Sequence, residues 1–188
     1  MSSSESEFWI VSADQLACLA SRTRQALLDL VATFGPVSAA DLARLSGLRR
    51  TTLYQHIDQL SAVGLVLARG HRGQGNRSEK MYSTPARRMR LARALADDRH
   101  NAAAGRIAAG LLRQTQRDIS AGLNNPRKQA LGPDTNLLFH RFVGAPPPEN
   151  LTEINKKIEE LKALMTGTDP ASGPAVAVTV TMTPVDRI

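Results

Sequence analysis

The chain has 188 residues, 24 Lys and Arg against 17 Asp and Glu, and one cysteine, Cys18. A chain of this length forms one or two domains with a real apolar core. No apolar run approaches the roughly 18 residues of a membrane-spanning helix. The Ser- and Glu-rich start, Met1 to Glu7, lacks the basic-then-apolar order of a secretory signal. A lone cysteine excludes an intrachain disulfide framework and a zinc site built from several cysteines, so the expectation is a cytoplasmic protein without metal or cofactor. Aromatic residues make up 4% of the chain, too few for a platform that stacks single-stranded bases.

The excess positive charge is unevenly placed. Residues 1–85 carry nine basic and seven acidic side chains, residues 86–150 eleven and five, and residues 151–188 four and five. The window from Arg69 to Arg93 holds Arg69, Arg72, Arg77, Lys80, Arg87, Arg88, Arg90 and Arg93 against Glu79 alone. Arginine forks match phosphate oxygens, so this cluster points to a polyanionic partner.

Ser12-Ala13-Asp14-Gln15 reads as a capping box. The helix after it carries Leu16, Leu19, Leu27, Leu28, Leu30 and Val31 at roughly helical spacing and ends at Gly35-Pro36. Ser38 with Asp41 opens a short second helix, through about Ser46, with Leu42 and Leu45 on its apolar face. Gly47 marks a turn. A third helix runs from about Arg50 to Val63, with Leu53, Ile57 and Leu60 on one face. Two strand-like runs follow, Leu65–Arg69 and Lys80–Thr84, around a polar, glycine-rich and basic stretch from Gly70 to Ser78. That is a β-hairpin with a long tip.

Pro85 begins an alanine-rich helical stretch to about Leu123, with Gly105 and Gly110 inside it. Residues 126–135 read as a linker, Leu137 to Val143 as a strand, and Ala145 to Pro148 as a stiff connector. Asn150 with Glu153 caps a further helix to about Met165. Ala175 to Thr183 alternates Val176, Val178, Val180 and Met182 with Ala and Thr, the pattern of a half-buried strand. The predicted fold is mainly α with small β. A winged helix-turn-helix domain (13–85) follows a short tail (1–12). A helical dimerisation region (86–125) and a strand-helix-strand region (126–188) come after it.

Helix, short helix, glycine turn, third helix and basic hairpin suit the reading of double-stranded DNA. A helix fits the major groove, and its polar face can reach base edges there. The third helix leaves Arg50, Thr51, Thr52, Tyr54, Gln55 and Gln59 outward. Arg72 and Arg77 on the hairpin tip would neutralise phosphates of the backbone or minor groove.

In this order the segments from Leu19 to Thr84 resemble the winged helix-turn-helix of ArsR-type bacterial transcription regulators. The resemblance rests on Ser21–Leu28, Asp41–Leu48, Thr51–Leu60, Ala62–Val66 and Glu79–Tyr82. MarR-type regulators share much of the pattern. It implies a homodimeric, sequence-specific regulator, most simply a repressor that occludes a promoter. It also places His56 against the recognition helix and near backbone phosphate. Two departures stand out. Arg49 occupies the position before the recognition helix where Ser or Asp is frequent, which makes it a candidate phosphate contact. The second helix reads Ser38-Ala39-Ala40-Asp41-Leu42, without the cysteine pair of metal-sensing members.

Cys18, beside Leu16 and Leu19, reads as a small buried apolar residue. His71, His100 and His140 are scattered without carboxylate partners at ligand spacing. No phosphate loop, carboxylate pair or Ser/His/Asp pattern points to catalysis. The small residues from Ala102 to Gly110 permit close approach of backbones, and this stretch is the expected dimer interface. Three roles stay open for the C-terminal region: closing or packing the dimer, binding a small-molecule effector, or stabilising the chain. The alternative readings of the whole are a winged-helix scaffold for protein partners and a binder of structured RNA.

Overall fold

The structure, a computed structural model, describes residues 7–73, 78–86, 88–166 and 175–185. The chain divides into two compact units, residues 1–114 and 115–188.

The first unit opens with strand β1 (Glu7–Trp9) and helix α1 (Ala13–Leu19). The capping box forms as the sequence predicts. Ser12 Oγ accepts from the Gln15 amide at 3.1 Å, and Gln15 Oε1 accepts from the Ser12 amide at 3.3 Å. The predicted single helix up to Gly35 is instead two, because the chain turns at Ala20-Ser21 and restarts as α2 (Arg22–Phe34). The carbonyls at the end of α1 find donors on α2. Arg24 Nε donates to Cys18 O at 2.6 Å and Gln25 Nε2 to Leu19 O at 2.7 Å. Helix ends need such partners, and these come from across a turn, which apolar periodicity does not report.

Strand β2 (Val37–Ser38) leads into α3 (Ala39–Ser46). Ser38 caps it by accepting from the Asp41 amide at 3.1 Å. Gly47 ends α3 in the left-handed region, with φ +69°, where a side chain is disfavoured. Helix α4 (Arg50–Ala62) follows, with Leu53, Ile57 and Leu60 buried on its inner face. Its C-terminus closes as the Leu65 amide donates to Leu60 O at 2.9 Å. Leu65 and Val66 are core residues, so the first wing strand starts two residues later than predicted.

Strands β3 (Leu67–Arg72) and β4 (Glu79–Ser83) form the wing. Both run antiparallel, with a register shift between Ala68 and His71, and β2 adds to the other side of β4. The core under this sheet joins Leu16, Leu19, Leu27, Val31, Leu42, Leu53, Ile57, Leu60 and Tyr82.

The stretch after Pro85 departs from the predicted helix. Strand β5 (Arg88–Arg90) pairs in parallel with β1, registering Glu7 with Arg88 and Trp9 with Arg90. The presumed N-terminal tail thus supplies a strand. A short α5 (Ala92–Leu95) and one 3-10 turn (Asp98–His100) precede the long helix α6 (Asn101–Leu123). Within the first unit, Ala103 and Ile107 of α6 pack against the core. Gln25 Nε2 donates to Ile107 O at 2.9 Å, and a Cβ on Gly110 would stand 2.9 Å from Gln25 Oε1. The close approach that the small residues permit at Gly110 is therefore made to α2 of the same chain.

The second unit holds the last turns of α6, an irregular segment and helix α7 (Pro148–Met165). In the irregular segment Asn136 Oδ1 accepts from the Gln129 amide at 2.8 Å, and Asn136 Nδ2 donates to Arg127 O at 3.1 Å. Helix α7 begins on Pro148 at its first position rather than at an Asn150 cap, a place where the missing amide costs nothing. The predicted strands Leu137–Val143 and Ala175–Thr183 are not strands, since among the described residues neither belongs to a sheet. Their alternating pattern suits a strand, but a strand exists only where a neighbour completes its ladder.

Candidate nucleic-acid interface

Helix α4 is fixed by its inner face and open on its outer one. Leu53 and Leu60 have no exposed surface and Ile57 has 1%. Arg49, Arg50, Thr51, Tyr54, Gln55 and Gln59 are exposed, whereas Thr52 and His56 are half-buried. The spacing explains this division. Three- and four-residue steps keep 53, 57 and 60 on one side, so 51, 55 and 58 lie opposite. Asp58 thereby joins the outer face. The outward set named from the sequence omits it, although the same helical count that selects Gln55 selects it. A carboxylate there can accept from a cytosine amino group and repels phosphate.

The start of α4 is bare. Arg49 stands at the cap position with φ −64° and ψ 143°, and makes no side-chain capping bond. The first amides of a helix have no partners within the helix and carry the positive end of its dipole. With Arg49 and Arg50 beside them, they form a surface suited to an anion. His56 packs more deeply, and its Nδ1 is buried without a hydrogen-bond partner among the described residues. Gln59 is already engaged, because its Oε1 accepts from an Arg24 guanidinium nitrogen at 2.7 Å. This bond ties the back of α4 to α2. Gln59 so differs from Gln55, which lies at the centre of the outer face.

The wing is held to the helix-turn-helix by charge. Arg72, at the end of β3, donates to Asp41 Oδ2 at 3.1 Å and to Glu79 Oε2 at 3.3 Å. Asp41 stands in the first turn of α3 and also receives Arg44 at 3.2 Å. Partial burial pushes the Asp41 carboxyl up, but bonds from Ser38, Arg44 and Arg72 outweigh it and leave it below the ordinary carboxylate range. Arg72 thus brings two carboxylates with it. Its positive charge is balanced locally, although its side chain stays 61% exposed. Arg77 lies outside the described residues. At the wing's base, burial pushes the Tyr82 phenol up, and the nearby Tyr54 and Asp58 add to the effect. The Lys80 ammonium lies 5.6 Å from the Tyr82 ring centre.

The arginines that follow the wing are committed elsewhere. Arg90 reaches Glu7 at 3.0 Å and Arg88 reaches it at 3.9 Å. The Arg93 guanidinium sits 4.3 Å from the centre of the Trp9 ring. Arg87 lies outside the described residues. The strongest charge cluster in the sequence is therefore partly absorbed by β1, a pairing across some eighty residues that local patterns do not reveal. Cys18 is buried as predicted, with Sγ 3.7 Å from Gln59 O. Burial pushes its thiol up, and Arg24 partly offsets this. A raised thiol pKa disfavours reactivity.

Among the described residues no group of three or more His, Cys, Asp and Glu side chains is placed to hold a metal ion. No helix of the described residues is long and apolar enough to cross a membrane.

With this geometry in view, comparison with protein families finds a helix-turn-helix domain over residues 19–68. Those residues hold α2, α3, α4 and the start of β3. The chain thus contains a helix-turn-helix domain carrying a wing, and the match supports a DNA-binding transcription regulator in general. Comparison with curated proteins finds no match.

Proposed function

We propose that the protein is a homodimeric, cytoplasmic, ArsR-like regulator that reads a specific sequence in double-stranded DNA and represses by occlusion. Helix α4 enters the major groove, and the wing lies along the backbone or in the minor groove. The observation that carries this reading is the division of α4. Its apolar face is fully buried, while Arg50, Thr51, Tyr54, Gln55 and Asp58 stand exposed around an uncapped N-terminus. Arg50 suits guanine, Gln55 suits adenine and Asp58 suits the cytosine amino group. Arg49 and the first amides suit phosphate. One such helix binds weakly, and two copies reading half-sites about one helical turn apart supply affinity and specificity together.

Selection from random duplex DNA at near-physiological salt tests the reading. A recovered two-fold motif, lost in an Arg50→Ala, Gln55→Ala double variant, is the expected result. Affinity for the motif should fall steeply with salt. Failure to recover DNA even at low salt overturns the proposal and favours the protein-scaffold reading.

A further inference from the structure

Resting on that two-fold reading but going beyond it, we infer that the C-terminal unit is the dimerisation module. The extended segments 137–143 and 175–183 complete their sheet on a second copy of this chain.

Three observations converge. First, the unit has no core of its own. Among the described residues from 115 to 185 none is buried, and α7 buries none of its apolar residues. Phe139 and Phe142 are 67% and 89% exposed, and Leu131, Leu138 and Leu164 are also open. An ordered helix and two extended segments without a core leave their conformational entropy uncompensated. Second, the two extended segments lack a backbone ladder among the described residues. Among the described residues, no backbone-to-backbone hydrogen bond is made by 138–146 or by 175–185. Such a row of free amides and carbonyls is a template for strand addition. Third, the segment 175–185 has a defined orientation within its unit. Thr179 Oγ1 lies 2.9 Å from Thr115 Oγ1 on α6. In extended chain, alternate residues face opposite ways. Holding Thr179 to α6 therefore turns Val176, Val178, Val180 and Met182 away from it, and all four are exposed.

The occupant is a second copy for reasons of area and charge. At about 100 Å² for an aliphatic side chain and about 200 Å² for an aromatic one, the exposed apolar groups of this unit offer roughly 1,000 Å². A standard interface takes about 800 Å² from each partner. Part of the charge of α7 is paired within the helix, Lys157 lying 3.6 Å from Glu153 and 3.1 Å from Glu160. With eight basic and eight acidic residues in 115–188, the unit carries no net charge to attract a polyanion. Identical segments related by a two-fold axis pair antiparallel, as an isologous interface requires.

The test uses the full chain in sedimentation equilibrium, with Val178→Asp and Val180→Asp combined and with Leu112→Asp on α6 as the contrast. The wild type should be a dimer, the double variant a monomer with unchanged helical circular dichroism, and Leu112→Asp still a dimer. A dimeric double variant, or a dimer broken by Leu112→Asp instead, overturns the inference. So does a monomeric wild type, and that result leaves open whether α4 binds DNA, which the selection above decides separately. If the double variant does not fold, hydrogen exchange of the wild type decides. Amides 175–183 should be protected at high protein concentration and lose at least tenfold of that protection on dilution. Exchange at one fast rate at all concentrations counts against the inference.

Discussion

The two units solve the burial of apolar residues in opposite ways. In the first, Leu16, Leu27, Leu42, Leu53, Ile57, Leu60 and Leu65 are all at most 1% exposed, and helices α1 to α4 share one core. In the second, side chains of the same chemical type stand in solvent, and Leu164 is 78% exposed. Sequence hydrophobicity alone does not separate these cases. What separates them is a core, which the described residues of 115–185 lack. The first unit closes on itself and is built to present a rigid helix. The described residues of the second leave their apolar side chains exposed.

The largest effect that would sharpen this contrast is a pair of truncations of one residue type. Leu53→Ala removes a fully buried side chain and should cost about 2–5 kcal/mol in urea denaturation. Leu164→Ala should cost less than about 0.5 kcal/mol in dilute protein. Equal losses would erase the difference between the units. Next comes the reading face. Arg50→Ala and Gln55→Ala should each cost about 1–3 kcal/mol of discrimination at one base position in competition binding, with thermal stability unchanged. Gln59→Ala should instead lower stability and leave base preference alone, because its side chain is held by Arg24. A shift in base preference on Gln59→Ala would reassign it to the interface.

A smaller effect concerns the turn between α3 and α4. Gly47 has φ +69° with open space around the position of a Cβ. Gly47→Ala should therefore cost about 1–2 kcal/mol through backbone conformation alone, measured as a lower midpoint in thermal unfolding. It should not change the geometry of α4. Gly110→Ala tests crowding rather than conformation, since its Cβ would crowd the Gln25 amide that joins α2 to Ile107.

These contrasts also explain what was legible in the sequence. Helix ends with a local chemical signal were readable: the starts at Ser12 with Gln15 and Ser38 with Asp41, and the stop at Gly47 after Ser46. The inner face of α4 followed from spacing, and its outer face followed as the remainder. The break between α1 and α2 was hidden because its capping groups, Arg24 and Gln25, act back across the turn. The β1–β5 ladder was hidden because it joins Glu7 to Arg88, and three-residue strands carry little pattern of their own. The segments 137–143 and 175–183 show the reverse case. Their alternation is a strand signal, but among the described residues no neighbouring strand completes a ladder with them.

The smallest predicted effect lies at the joint between wing and helix-turn-helix. The Asp41 carboxyl is held below its ordinary value of 3.8 in the folded protein, so its ionised form favours folding. That contribution is fully present above about pH 4, the unfolded value, and is lost as the pH falls through the folded value. Asp41→Asn should therefore be less stable than the wild type at neutral pH, by no more than about 1 kcal/mol for so exposed a set of ion pairs. The gap should close as the pH is lowered. On DNA the sign reverses. Removing a carboxylate 3.1 Å from Arg72 leaves that guanidinium balanced by Glu79 but no longer by Asp41, so nonspecific affinity should rise and the salt dependence should steepen by up to about one counterion. Should affinity fall instead, Arg72 acts as a strut that sets the wing's angle through Asp41, and its charge is spent on the fold.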